Sequence, residues 1–220
     1  MKIDFVSDIA CPWCAIGLAS LERALERLGD DVAVEWHVEP FELNPQMPPE
    51  GQDIVEHLAQ KYGASAEQTR RNREAISQRG AAVGFTFGVD KRDRIWNTFD
   101  AHRLLHWAGL QGPAKQLALK RKLFDANFTR GENPGDPEVL QRAATEAGLD
   151  PARAHEVIVS DAYADEVRAR ERHWTDAGIH AVPAVVVNDR YLIQGGQPPE
   201  VFEQALREIQ AKEQSAGPPG

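Results

Sequence analysis

The chain has 220 residues, 42% of them hydrophobic, and carries 25 Lys and Arg against 34 Asp and Glu, a net charge of −9. A chain of that length buries a sizeable core and supports one large domain or a core with an insertion. The acidic balance argues against a nucleic-acid partner, whose phosphates need a basic surface, and no window approaches the ~18 apolar residues of a membrane span.

The first eight residues, Met1-Lys2-Ile3-Asp4-Phe5-Val6-Ser7-Asp8, lack the apolar run of a secretory signal, so the expected compartment is the cytosol. Ile3, Phe5 and Val6 predict a short strand. From Pro12 the pattern turns helical, with Ile16, Leu18, Leu21, Leu25 and Leu28 at helix spacing until Gly29-Asp30 stops them. Val32, Val34, Trp36 and Val38 then alternate with Glu35, His37 and Glu39, which is strand periodicity. The opening therefore reads β-α-β. Pro40, Pro45, Pro48 and Pro49 break regular structure after it.

Helices are expected next over residues 53–62, 65–83, 95–108, 113–127, 137–147, 151–159 and 163–177. Residues 184–187 and 191–193 read as two β runs around an Asn188-Asp189 turn, and residues 199–209 as a closing helix. Residues 212–220 are polar and rich in Gly and Pro, the composition of a disordered tail. The predicted class is α/β, with a sheet domain over residues 1–50 and 161–211 split by a helical insertion over residues 51–160.

Both cysteines of the chain fall in Cys11-Pro12-Trp13-Cys14, at the entrance of the first helix. A CxxC beside a βα pattern reads as a redox dithiol, and a reducing cytosol disfavours a permanent structural disulfide. The attacking species in disulfide exchange is a thiolate, which the unpaired N–H groups of a helix N-terminus favour. Cys11 is the expected nucleophile, and Cys14, one turn further in, is placed to attack the mixed disulfide. Pro12 suits a first turn, where its missing N–H is not needed. Trp13 sets a large apolar surface in the loop, to shield the dithiol or meet a partner. Two other readings stay open: half of a zinc site completed by His102 and His106, and a pair of inert core thiols. Ala181-Val182-Pro183-Ala184 lies between a helix and a strand. A cis Val182–Pro183 bond would present the Val182 backbone to an extended substrate, while a proline there is also ordinary before a strand.

Four stretches carry a resemblance over nearly all of residues 2–209: Ser7-Asp8-Ile9-Ala10-Cys11-Pro12-Trp13-Cys14, Pro40-Phe41-Glu42-Leu43-Asn44-Pro45, Asn97-Thr98-Phe99-Asp100-Ala101-His102-Arg103, and Val182-Pro183 with Val187-Asn188-Asp189-Arg190-Tyr191. Through them the chain resembles the thioredoxin-fold dithiol-disulfide oxidoreductases of the DsbA family, in particular its FrnE-like branch. The resemblance implies a thioredoxin fold interrupted by a helical domain. It makes Cys11 the attacking cysteine, Cys14 the resolving cysteine, Pro183 a cis proline facing them and Val182 the substrate-pairing position. His102 and Arg103 fall in a matching stretch and would line the groove over the dithiol; the structural alternative has Asn97 and Asp100 cap or brace the helix while His102 pairs locally. Asp8 would cap the loop or influence Cys11. The periplasmic DsbA oxidase has Pro-His between its cysteines. Pro12-Trp13 here lacks that cationic partner, so the couple is expected to be less oxidising.

The expected activity is thiol-disulfide exchange on protein or peptide disulfides, with no metal or organic cofactor and with glutathione as a candidate redox partner. Relatives lacking the resolving thiol are kappa-class glutathione transferases or hydroxychromene carboxylate isomerases, the nearest alternative. A redox-sensing interaction module and a non-redox chaperone are the others.

Overall fold

A computed structural model of the chain describes residues 1–29 and 32–216. The first strand, β1 (Lys2–Ser7), is buried on both faces. Ile3 and Phe5 join a core with Leu18, Leu21, Phe202 and Leu206, while Val6 packs with Trp174, Ile179 and Ala184 on the other side. β1 is covered on both sides although its sequence is not a continuous apolar run, because Asp4 and Ser7 are buried along with Ile3, Phe5 and Val6. Helix α1 (Pro12–Leu28) follows, with Pro12 in its first turn and Cys14, Ala15, Leu18, Leu21 and Ala24 turned inward. Strand β2 (Glu35–Pro40) then runs parallel to β1, Lys2 opposite Glu35 and Ser7 opposite Pro40.

The sheet is completed by the far end of the chain. β5 (Ala184–Val187) pairs antiparallel with β1, and β6 (Tyr191–Gln194) with β5, giving the order β2-β1-β5-β6. Asn188 and Asp189 join them with φ values of 52° and 55°, the left-handed pair a two-residue hairpin needs. Helix α9 (Pro199–Ala216) packs back on α1.

Between β2 and β5 the chain forms β3 (Gln52–Asp53), α2 (Ile54–Tyr62), α3 (Ala66–Ala82), β4 (Arg94–Ile95), α4 (Phe99–Leu110), α5 (Pro113–Phe124), a π-helical turn (Asp125–Arg130), α6 (Pro137–Glu146), α7 (Pro151–Ile158) and α8 (Ala164–Asp176). Capping fixes several starts. Asp53, Asp136 and Asp150 accept first-turn amides, and Ser65 with Gln68 closes a capping box. Helices α4, α5 and α8 pack against β2. The result is an α/β thioredoxin fold interrupted by helices.

Four expectations need correction. β2 begins at Glu35 rather than Val32, because its length is set by pairing with β1. The helix expected from residue 95 starts at Phe99, since Ile95 pairs with Gln52 in a two-residue ladder too short to leave a period. The helix expected through residue 127 gives way to the π-helical turn after Phe124. The tail expected over residues 212–220 is helical as far as Ala216, where α9 runs on past its apolar stripe; residues 217–220 lie outside the described residues, as does Asp30 of the expected helix stop.

Candidate active site

β1 delivers the chain to the dithiol through a short loop, and the Asp8 carboxylate holds that loop. Asp8, 1% exposed, accepts the Ala10 amide at 3.0 Å, the Leu43 amide at 2.7 Å and the Thr98 hydroxyl at 2.8 Å. His102 Nε2 lies 3.4 Å from the same carboxylate. Burial pushes the Asp8 carboxyl up, but the bond and charge of His102 and the amides of Leu43 and Ala10 outweigh it, leaving it below its ordinary value. One carboxylate thus ties the loop, the segment after β2 and the start of α4 together. Asn127, in the π-helical turn, adds a 2.8 Å bond from Nδ2 to the Ile9 carbonyl.

Cys11 occupies the N-cap position of α1, in extended conformation at φ −91° and ψ 111°, with no side-chain cap bond. Its Sγ donates to the Val182 carbonyl at 3.6 Å. The Cys14 amide donates to the Cys11 carbonyl at 3.1 Å, and both thiols are free. Cys11 is buried, and it reaches the outside through a cavity it helps to line. Cys14 is fully buried. Burial first, then its bond and proximity to Cys11, push its thiol well above the ordinary range. The Val182–Pro183 peptide is cis. The Pro183 carbonyl accepts the Gly195 amide at 2.8 Å, and a Cβ on Gly17 of α1 would come within 3.0 Å of the proline ring.

In front of Cys11 lies a cavity of about 410 Å³, lined by Pro12, Trp13, Val182, Leu58 and Phe128 among others. Its charged lining among the described residues is of one kind: Lys61, Arg73 and Arg92, with His57 beside them and no carboxylate. Arg73 is spent on the carbonyls of Val89 and Arg92. Arg92 is different. Its Nε donates to Asn127 Oδ1 at 3.1 Å and its guanidinium lies 4.9 Å from the Phe128 ring centre, yet Nη2 is buried without a hydrogen-bond partner among the described residues. Burial, with Arg73 close by, lowers its pKa to about 10.

The structure brings Cys11, Pro12, Trp13 and Val182 together on this cavity, with Cys14 and Asp8 behind and Pro183 against α1. His102 does not line the cavity; it sits behind Asp8, 2% exposed, as a brace. Arg103 is elsewhere. It holds Asp100 at 2.9 Å and the carbonyls of Val157 and Ala162 at 2.8 and 2.9 Å, locking α4 to α7 and the loop after it. His106 packs on Tyr163 rather than converging with the cysteines. Three residues were not expected: Arg92, Asn127 and Lys120. Lys120 had a signal, since it falls on the buried stripe of α5 with Gln116, Leu117, Leu123 and Phe124. Arg92 lies in an irregular segment that has no period to betray it.

The family model of the DSBA-like thioredoxin domain matches residues 2–207. YwbO of Bacillus subtilis, an uncharacterized protein, is 29% identical over 213 residues, 96% of this chain and 98% of YwbO. Among solved structures, a probable DsbA oxidoreductase of Streptomyces coelicolor is 37% identical with a TM-score of 0.88, covering 96% of this chain and 90% of that one. The cytosolic disulfide reductase DsbM of Pseudomonas aeruginosa, solved with GSH, shares the fold at 16% identity and a TM-score of 0.66, over 96% of this chain and 100% of its own. A match running almost from end to end leaves little of the chain unexplained: this protein belongs to the DSBA-like thioredoxin domain family, whose members are disulfide oxidoreductases.

Proposed function

We propose that this protein exchanges disulfides through Cys11 and Cys14 and that a small anionic thiol, glutathione by chemical class, is one of its substrates. The observation that carries the reading is the pair of free thiols at the start of α1, with Cys11 Sγ 3.6 Å from the Val182 carbonyl on the wall of an open cavity. The Cys11 thiolate attacks one sulfur of a substrate disulfide and the other sulfur leaves as a thiolate. Backbone groups at Val182 pair with the bound substrate beside the new bond. Cys14 then attacks Cys11 Sγ, the second substrate sulfur leaves, and the enzyme holds the disulfide. Two glutathione thiols reverse these steps and end as glutathione disulfide. Run from the oxidised enzyme, the same steps oxidise a substrate dithiol. Isomerisation needs only a mixed disulfide that persists.

The cavity supports the small-thiol partner. Its volume lies in the range of small-molecule sites, its charged lining is cationic, and Arg92 keeps Nη2 without a partner among the described residues, which suits a carboxylate. The likeness to a reductase solved with GSH points the same way, and its cytosolic setting fits a dithiol that must cycle rather than stay oxidised. Placement in the FrnE-like branch is part of this proposal and rests on the stretches around Cys11, Pro40 and Asn97 and over residues 182–191.

The test is turnover of a peptide–glutathione mixed disulfide, with Cys11→Ser and Cys14→Ser beside the parent. Cys11→Ser is expected to lose all turnover. Cys14→Ser is expected to accumulate an adduct on Cys11, visible by intact mass, and to turn over at least tenfold slower. Full activity of Cys14→Ser would overturn the dithiol mechanism in favour of a glutathione transferase or isomerase.

A further inference from the structure

Helix α3, the irregular segment before β4 and the π-helical turn all send side chains to the cavity that Cys11 lines: Thr69, Arg92 and Phe128. Bonds fix these parts against one another. Arg73, one turn after Thr69 on the same side of α3, donates to the Arg92 carbonyl at 2.7 Å. The neighbouring Asp93 carbonyl accepts the Ile54 amide at 2.9 Å. The Arg92 guanidinium lies over the Phe128 ring and bonds Asn127, which in turn holds the Ile9 carbonyl just before the dithiol. Two polar atoms of this lining have no hydrogen-bond partner among the described residues, Arg92 Nη2 and Thr69 Oγ1. Arg92 is 9% exposed and Thr69 1%, and a buried donor left unbonded is costly. The other basic groups of the lining are engaged: Lys61 with the Leu43 carbonyl and Asn44 Oδ1, Arg73 with the carbonyls of Val89 and Arg92, and His57 with Gln52.

We propose that Arg92 and Thr69 form a carboxylate subsite, which selects thiols that carry an acid group while their sulfur reaches Cys11. The proposal rests on the small-thiol reading above and names the residues that would recognise that thiol. A carboxylate accepts only, and its oxygens can take the Arg92 Nη2 donor and the Thr69 hydroxyl donor together. The bond to the guanidinium is charge-assisted and the stronger of the two. No carboxylate among the described lining residues competes for it. Phe128 holds the guanidinium plane and Asn127 fixes Nε, so little side-chain freedom is lost on binding. A surface arginine lacks that pre-organisation. In glutathione both the glycyl and the γ-glutamyl carboxylate have this chemistry.

S-methylglutathione carries both carboxylates and no thiol, so its binding to the intact reduced protein reads the subsite without exchange chemistry. Calorimetry is expected to show binding by the parent. Thr69→Val and Arg92→Met should each weaken it about 10-fold or more. The hydroxyl that Thr69→Val removes has no partner among the described residues, so this variant is expected to melt no lower than the parent. A threonine that only braces the fold predicts a lower midpoint and unchanged binding. The glycyl ethyl ester and S-methylcysteinylglycine, which lacks the γ-glutamyl group, separate the two ends: affinity falls for the ligand missing the bound carboxylate. In turnover, the preference for glutathione disulfide over neutral hydroxyethyl disulfide should shrink by the same factor in both variants, through KM. No binding by the parent, parent-like binding by either variant, a lowered midpoint in Thr69→Val, or parent-like binding of both altered ligands would overturn the subsite. A parent that binds S-methylglutathione yet never exchanges with hydroxyethyl disulfide would instead keep the subsite and remove the dithiol reading.

Discussion

Asp8 shows how much of this site depends on single side chains. Four donors converge on it: two amides, a hydroxyl and the His102 ring. Asp8→Asn removes the charge and turns an amide donor toward one of those donors, at a cost of about 3 kcal/mol. The pH dependence follows from its depressed carboxyl pKa. Its contribution is complete above the unfolded value of about 4 and is lost as pH falls through the lower folded value. Denaturant melts should show a constant gap between parent and Asp8→Asn from pH 5 to 7, narrowing as the acid range is entered. A gap that widens in acid would contradict this account of Asp8. Arg103 carries the opposite lesson. It stands in a stretch that resembles the family, yet its guanidinium is fully spent on Asp100, Val157 and Ala162, so proximity in sequence to His102 does not put it at the dithiol.

Among the elements, the contact between α1 and the loop after β6 sets the position of Pro183. Gly17 and Gly196 leave the room. A Cβ on Gly196 would lie 2.8 Å from the Trp13 carbonyl oxygen, a backbone atom that moves only with the dithiol turn. Gly196→Ala is therefore expected to destabilise by about 1–3 kcal/mol and to slow turnover; unchanged melting and kinetics would show that the loop, not α1, gives way. The elements that place these residues were legible in the sequence where a period or a cap marks them. The run from Ile3 to Val6, the stripe from Ile16 to Leu28 and the Asn188-Asp189 hairpin all stand as expected. What escaped has no local signature. The β3–β4 ladder is two residues long, the π-helical turn continues an α-helical pattern, and Glu39 hides in β2 because its buried carboxylate is met by Arg170 and Trp174 from a helix 131 and 135 residues away. The dithiol was readable from spacing, whereas Arg92 and Asn127 reach it only through folding.

On the scale of the whole molecule, the sheet and the inserted helices divide the work. The two central strands, β1 and β5, bring Cys11 and Val182 together, while the segment between β2 and β5 supplies Arg92 and Asn127. Among the described residues, a chain of net charge −9 sets only cations among the charged groups around its cavity, an arrangement that would focus positive potential where the proposed anionic thiol enters. The direction of exchange depends on the potential of the couple. The deciding measurement is the redox equilibrium of the protein in glutathione buffers, quenched in acid, alkylated and read by mass. The account predicts one transition in which both thiols disappear together into a Cys11–Cys14 disulfide, at a potential more negative than the ≈ −120 mV of periplasmic DsbA. A chain that carries only a glutathione adduct on Cys11, or forms no disulfide at any poise, would contradict it.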